Sequence, residues 1–296
     1  MSFKIEYRTA DGSLQDILGV KQFVFNDGSV NVELENPSRS AHVISNIIIK
    51  ANMQSPADQM ALVMIVNALR LQFPLASLSL YMPFTPYGRQ DAMFCKGQAN
   101  AMKAWADIIN SLKFAEVTVV DPHSIAVSHL DNCTVVDVCD LLKSVCYTPS
   151  YKISKLLNSV RYRPEVALVS PDAGANKKAH KIAEKFGFQQ LVRADKARDL
   201  ATGNILETEV YGDVEGKTCV IMDDICDGGA TFIALGNALR AKGASKVILY
   251  VTHGIFSKGL SVFNGIIDEI YTTDTWKHED TSYQEGYTGT YEVIES

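Results

Sequence analysis

Asp223 and Asp224 stand side by side at the end of an apolar run. Asp227, Gly228, Gly229, Ala230 and Thr231 follow and lead into a helical pattern, so that Thr218–Thr231 reads TCVIMDDICDGGAT. Thr218 to Met222 has the continuous apolar character of a buried parallel strand, and Phe232, Ile233, Leu235 and Leu239 recur at helical spacing beyond it. The turn therefore falls at the carboxyl end of a strand. There the unpaired N–H groups of the first helical turn and the positive end of the helix dipole receive an anion, and glycines let the backbone come close to it. Two adjacent carboxylates would repel a phosphate, so Asp223 and Asp224 suit the hydroxyls of a ribose or a divalent cation. Together these residues spell a site for a phosphorylated sugar. The simpler alternative is a solvated turn in which Asp227 caps the helix.

Further polar groups recur at the ends of predicted strands, where an open α/β sheet holds its ligands. Phe25–Ser29 (FNDGS) opens onto the alternating strand Val30–Leu34, Pro86–Asp91 (PYGRQD) follows Ser77–Met82, and Asp121–Ser124 (DPHS) ends Glu116–Val120. Ser170–Gly174 (SPDAG) ends Glu165–Val169, Asp195–Arg198 (DKAR) follows a strand near Phe188–Val192, and Thr252–Ser257 (THGIFS) follows Val247–Val251. Lys196 and Arg198, in a segment with Gly203, suit an arm that closes over a polyphosphate, or are solvated loop charges. Arg89 is placed for a phosphate clamp or for pairing with Asp91. His123 is a metal ligand or a satisfied polar residue, and Asp172 a metal ligand or a helix cap. His42, His129, His180 and His278 have no such company and read as structural or surface residues.

The elements that must position these groups follow the βαβ rhythm of an α/β fold. Strand His42–Lys50 precedes a helix around Ala57–Arg70, and strand Ser77–Met82 precedes a helix around Ala99–Leu112 and strand Glu116–Asp121. After Pro149 the rhythm restarts with a helix through Val160, strand Glu165–Ser170 and helix Gly174–Phe186. Strands near Phe188–Val192, at Ile205–Tyr211 and at Thr218–Met222 complete it. Two similar Rossmann-like domains with central parallel sheets are expected, residues 1–146 and 147–296, with the boundary near Lys143–Ser150 where Tyr147, Thr148 and Pro149 interrupt the pattern. The polar stretch Lys277–Ser296 reads as a loosely packed extension with one final strand at Thr290–Ile294.

A chain of 296 residues with 47% apolar and 21% charged residues is long enough for two ordinary globular domains. Its net charge of −6 argues against a general nucleic-acid binder. No apolar window approaches a membrane span and no signal-like amino terminus is seen, so a cytoplasmic protein is expected. The six cysteines, at 95, 133, 139, 146, 219 and 226, form no CxxC pair and read as reduced thiols, Cys219 as a core strand residue.

Taken in order, these motifs resemble the ribose-phosphate pyrophosphokinase family over roughly Phe25 to Thr275. The resemblance implies two tandem domains of the phosphoribosyltransferase type. They would carry Mg2+, ATP as co-substrate and ribose 5-phosphate, and pass the β,γ-diphosphoryl group to the anomeric hydroxyl to give phosphoribosyl pyrophosphate and AMP. It assigns Phe25 and Asp27 to adenine in a neighbouring subunit of a homo-oligomer, Arg89, Gln90 and Lys96 to ATP, and His123 and Asp172 to magnesium. Lys196 and Arg198, with His123, become catalytic residues. Asp223, Asp224, Asp227, Gly228, Gly229, Ala230 and Thr231 become the sugar-phosphate site.

The chain departs from that family at several positions. The family's loop usually reads Asp-Thr-Gly-Gly-Thr, so a threonine that bonds the 5-phosphate has become Gly228 and a glycine has become Ala230. A larger 5′-substituent would suit such a loop, and ADP-ribose is the concrete candidate. Its 1-diphosphate is a species that a partner enzyme could turn into NAD with nicotinamide. The arginines usual after Asp91 are replaced by Ala92-Met93-Phe94-Cys95-Lys96, Ser29 stands where glutamate is common, and the usual final amphipathic helix is not seen. A catalytically silent regulatory subunit and a phosphoribosyltransferase are the competing readings. The retained His123, Asp172, Lys196 and Arg198 argue against the first, and the ATP-facing Arg89 and Lys196 segments against the second.

Overall fold

The structure, a computed structural model, describes residues 2–9, 14–35, 44–198 and 205–295. The chain divides into two compact units, Met1–Val136 and Asp137–Ser296.

The first unit is a seven-stranded sheet in the order β3-β2-β1-β4-β5-β6-β7. Strands β4 (Ile44–Ala51), β5 (Ser77–Met82), β6 (Glu116–Val120) and β7 (Cys133–Val136) run parallel. Strands β1 (Phe3–Thr9), β2 (Leu14–Val24) and β3 (Val30–Glu35) extend the sheet antiparallel from β4. Helix α1 (Pro56–Gln72) starts at Ser55, whose hydroxyl accepts from the Asp58 amide while the Asp58 carboxylate accepts from the Ser55 amide. Proline fills its first turn, where a missing N–H costs nothing. Helix α2 (Ala101–Ser111) is capped by the Asn100 side chain. Ile65, Leu69, Trp105 and Ile109 from the helices close over Ile47, Ile49, Leu78, Leu80 and Val117, which makes one dry core.

The second unit repeats the plan in the order β10-β9-β8-β11-β12-β13-β14. Strands β8 (Val166–Ser170), β9 (Gln190–Arg198), β11 (Thr218–Cys226), β12 (Lys246–Gly254), β13 (Glu269–Thr273) and β14 (Thr290–Ile294) are parallel, and β10 (Ile205–Tyr211) is an antiparallel edge. Helices α3 (Val138–Cys146), α4 (Lys152–Ser159) and α5 (Asn176–Phe186) cover one core, and α6 (Ala230–Ala241) covers another. Strands β8, β11 and β12 read as near-continuous apolar runs because they lie inside the sheet with both faces covered.

Four expectations change. The units part at Val136 and Asp137 rather than at 146 and 147, because Val138, Leu142 and Val145 of α3 pack into the second unit's core with Ile153 and Leu157 of α4. The first sheet is parallel only in β4–β7, since the ribbon β1–β3 carries no βαβ rhythm to betray it. Strand β9 does not stop near Val192. It continues to Arg198, pairing Asp195 with Glu209, Lys196 with Thr208 and Arg198 with Ile205, so a charged edge ribbon reads as loop in sequence. Finally, the stretch after Lys277 is packed: β14 pairs with β13, Ile294 is fully buried, and the His278 ring stacks on Tyr283 at 3.6 Å. Stacked polar aromatics supply the cohesion that an apolar pattern would have announced. Gly203 and His42 lie outside the described residues, and for Lys196 and Arg198 the description is confined to the backbone.

Candidate active site

In the second unit the residues expected to hold a sugar phosphate gather at the carboxyl end of β11, beside that of β12. Strand β11 runs through the two aspartates to Cys226, held by parallel pairing as far as Cys226 opposite Gly254. Asp223 accepts from the Asp224 amide at 3.0 Å, and Asp224 from the Ile225 amide at 2.9 Å. Asp224 is buried at 5% exposure. Lys178, from the first turn of α5, approaches it at 4.0 Å. Burial foremost, and then the neighbouring carboxylate of Asp224, push the Asp223 carboxyl well above its ordinary range, with Lys178 pulling the other way. Such a pair is electrostatically strained until a cation or hydroxyl donors meet it. The described residues contain no group of three or more histidine, cysteine, aspartate or glutamate side chains arranged to hold a metal on their own.

The turn that follows begins helix α6 without any side-chain cap, and Gly229 is left-handed at φ 78°. Only glycine fits there, since a Cβ would lie 2.5 Å from Cζ of Phe263, itself buried. Asp227 Oδ1 accepts from the Ser257 hydroxyl at 2.6 Å, which ties the turn to the segment after β12. That segment is held further by Ile255 and Phe256 amides donating to the Cys226 carbonyl, at 2.8 and 3.1 Å, and by Ser257 N to Asp227 O at 3.2 Å. Asp172, between β8 and α5, shapes its own turn: Oδ1 accepts from the amide of Ala175, the residue before the first of α5, at 3.0 Å.

In the first unit, Arg89 and Gln90 lie on the exposed turn after β5. Its shape comes from Gly88 N to Thr85 O at 3.2 Å and Gln90 N to Tyr87 O at 2.8 Å, with the Tyr87 hydroxyl donating to Gln59 at 2.6 Å. Asp91 accepts from the Ser124 hydroxyl, which joins this turn to the one after β6. A Cβ on Gly88 would sit 3.9 Å from Cβ of His123, so Arg89 and His123 occupy neighbouring strand ends. Lys96 sits on an exposed loop beside Phe94, which is 83% exposed. Phe25 and Asp27 are elsewhere. They occupy the tip of the β2–β3 hairpin, separated from β5 in the strand order by β1 and β4. Asp27 Oδ1 accepts from the Ser29 amide at 2.9 Å and hydroxyl at 2.7 Å, while Phe25 is half exposed.

Residues 193–290 match the family described as phosphoribosyl synthetase-associated domain. A ribose-phosphate pyrophosphokinase of Marinomonas sp. (strain MWYL1) is 30% identical over 256 residues, which covers 85% of this chain and 76% of that protein. The chain belongs to the ribose-phosphate pyrophosphokinase family. The ribose-phosphate pyrophosphokinase of Aquifex aeolicus (strain VF5) is also 30% identical, with 85% of this chain and 77% of that protein covered. Among solved structures, phosphoribosylpyrophosphate synthetase from Mycobacterium smegmatis superposes with a TM-score of 0.75 over 95% of this chain and 87% of its own, at 23% identity. As a ribose-phosphate pyrophosphokinase family member the chain is an enzyme, a transferase of the diphosphokinase type built on two phosphoribosyltransferase-like domains.

Two residues that touch the expected site residues Asp227 and Asp224 carry no assigned role in the sequence reading. Ser257 lay inside the noted THGIFS motif without an assigned role, and its signal was the serine hydroxyl next to a strand end. Lys178 was hidden in the run Asn176-Lys177-Lys178, which reads as a solvated helix face until α5 is docked beside β11. No helix among the described residues is long and apolar enough to cross a membrane.

Proposed function

We propose that this chain transfers the β,γ-diphosphoryl group of ATP to the anomeric hydroxyl of a ribose that carries phosphate on its C5 oxygen. The observation that carries the reading is the arrangement at the end of β11: two adjacent carboxylates, then a turn that only glycine can make at position 229, leading straight into helix α6. The carboxylates suit the ribose hydroxyls, and the turn's amides suit the phosphate.

In the reaction the anomeric oxygen attacks the β-phosphorus, the bond from that phosphorus to the oxygen retained by AMP breaks, and the hydroxyl proton departs. Charge gathers on non-bridging oxygens, so positioning and cations do most of the work. Lys196 and Arg198 are our choice for those cations, two positions apart on the outer end of β9. Arg89, Gln90 and Lys96 are assigned to ATP. Magnesium, when bound, would screen the polyphosphate; the carboxylates of Asp172 and of the Asp223–Asp224 pair suit it chemically, and His123 is assigned to magnesium as well. The exposed tip at Phe25 and Asp27 is assigned to a neighbour's adenine in a homo-oligomer.

Ribose 5-phosphate is the acceptor that the relatives' names indicate. ADP-ribose is kept as a second reading on one feature of the sequence: Gly228 offers no hydroxyl where the family's loop usually has a threonine. Substituting Lys196→Ala tests the catalytic reading. Turnover should fall by about a thousandfold with ATP binding retained, and unchanged turnover would remove Lys196 from the mechanism.

A further inference from the structure

The place where the family's threonine would stand is not open. A Cβ built on Gly228 would meet the stem of Lys258, at 3.4 Å from Cε, 3.6 Å from Cδ and 3.8 Å from Cγ. The stem thus lies along the sugar-phosphate turn at ordinary van der Waals distance, and the ammonium sits one bond beyond Cε. Lys258 is exposed, and no ion pair is recorded for it among the described residues.

This placement is set by the backbone. The segment is anchored to Cys226 and Asp227 by the hydrogen bonds from Ile255, Phe256 and Ser257. Buried Phe256 and Leu260 fix it on either side, and the Gly259 amide closes a turn onto the Phe256 carbonyl at 2.8 Å. Leu260 N donates to Tyr283 O at 2.6 Å, so the carboxyl-terminal aromatic layer braces the same loop. A lysine on so constrained a turn presents its charge at one end of a short flexible stem. That is a point cation, tolerant of phosphate geometry in a way that a fixed hydroxyl is not.

We infer that Lys258 is a ligand of the phosphate on the C5 oxygen of the ribose substrate, supplying the donor that Gly228 has lost. The inference rests on the sugar-phosphate reading of residues 227–231. It makes the pair Gly228 and Lys258 a specificity element: an ammonium serves a terminal monoester and the internal phosphate of a diphosphate alike, whereas a threonine hydroxyl favours the first.

The test is calorimetric titration of the full chain with ribose 5-phosphate and, separately, with ADP-ribose, for the unaltered protein, Lys258→Met and Lys258→Arg. Methionine keeps the stem over Gly228 and removes the charge. Lys258→Met should weaken binding of the preferred acceptor by about tenfold or more, and Lys258→Arg should recover most of it, with ATP binding equal in all three. Equal acceptor affinity in Lys258→Met overturns the inference, as does failure of the unaltered protein to bind either acceptor. AMP release measured on the same samples separates the two claims. Binding lost in Lys258→Met without any AMP formed by the unaltered protein would leave the Lys258 assignment standing and overturn the catalytic reading.

Discussion

The hydroxyl of Ser257 donates to Oδ1 of Asp227 at 2.6 Å, and this bond couples the end of β12 to the turn that starts α6. Both residues lie beyond the strands that carry them, so neither position is set by the sheet alone. Removing the hydroxyl should leave the fold intact while taking one hydrogen bond from the Asp227 carboxylate. For Ser257→Ala the KM for the ribose phosphate should rise by about three- to tenfold, in line with loss of one hydrogen bond to a charged group, and the KM for ATP should stay put. Steady-state kinetics with each substrate varied in turn would read this, and an unchanged acceptor KM would show that the bond is incidental.

Asp223 gives stability a pH dependence of definite sign. Its carboxyl is held above the ordinary value of 3.8 by burial and then by Asp224, so the folded chain keeps a proton that the unfolded chain has already released. Stability therefore falls as pH rises from that ordinary value towards the raised one. Asp223→Asn, which cannot ionise, should be more stable than the unaltered protein at neutral pH, with the advantage gone near pH 4. Denaturant unfolding across this range would show it, and a difference independent of pH would count against the assignment.

Gly229 should tolerate no side chain. At φ 78° and with Phe263 within 2.5 Å of a would-be Cβ, Gly229→Ala combines left-handed strain with overpacking. A loss of about 2–4 kcal/mol is expected. Urea unfolding measures it, and a loss below half of one kcal/mol would mean the turn relaxes freely.

Ile294 tests whether the carboxyl-terminal segment belongs to the second unit's core. It is fully buried in a cluster with Tyr250 and Tyr271. Ile294→Ala should cost about 2–4 kcal/mol. A loosely attached extension would show almost none of this in a thermal or urea melt.

The sequence carried several strands well, because β5, β10 and β14 are short runs with clear bounds, and their ranges are those of the structure. It also marked the turn at Asp227–Thr231, where glycine, aspartate and the switch from strand to helix spacing coincide. It failed where pairing, not composition, makes the element. Strands β1 and β2 and the outer half of β9 carry polar residues that look like loop, and the segment between Lys277 and β14 is packed by stacked aromatics. At the site, Lys178 and Lys258 come from helix and loop positions far from residues 223–231 in sequence. Neither belongs to a local motif, and only the packing of α5 and of the Phe256–Leu260 loop brings them to the carboxylates and to Gly228.

The central claim is tested most directly by incubating the full chain with magnesium and ATP in parallel with ribose 5-phosphate and with ADP-ribose. AMP release is followed by a coupled assay and the sugar product is weighed by mass spectrometry. The account predicts AMP and a ribose 1-diphosphate product in equal amounts with at least one acceptor. Release of ADP in place of AMP, or no transfer to either acceptor, would contradict it.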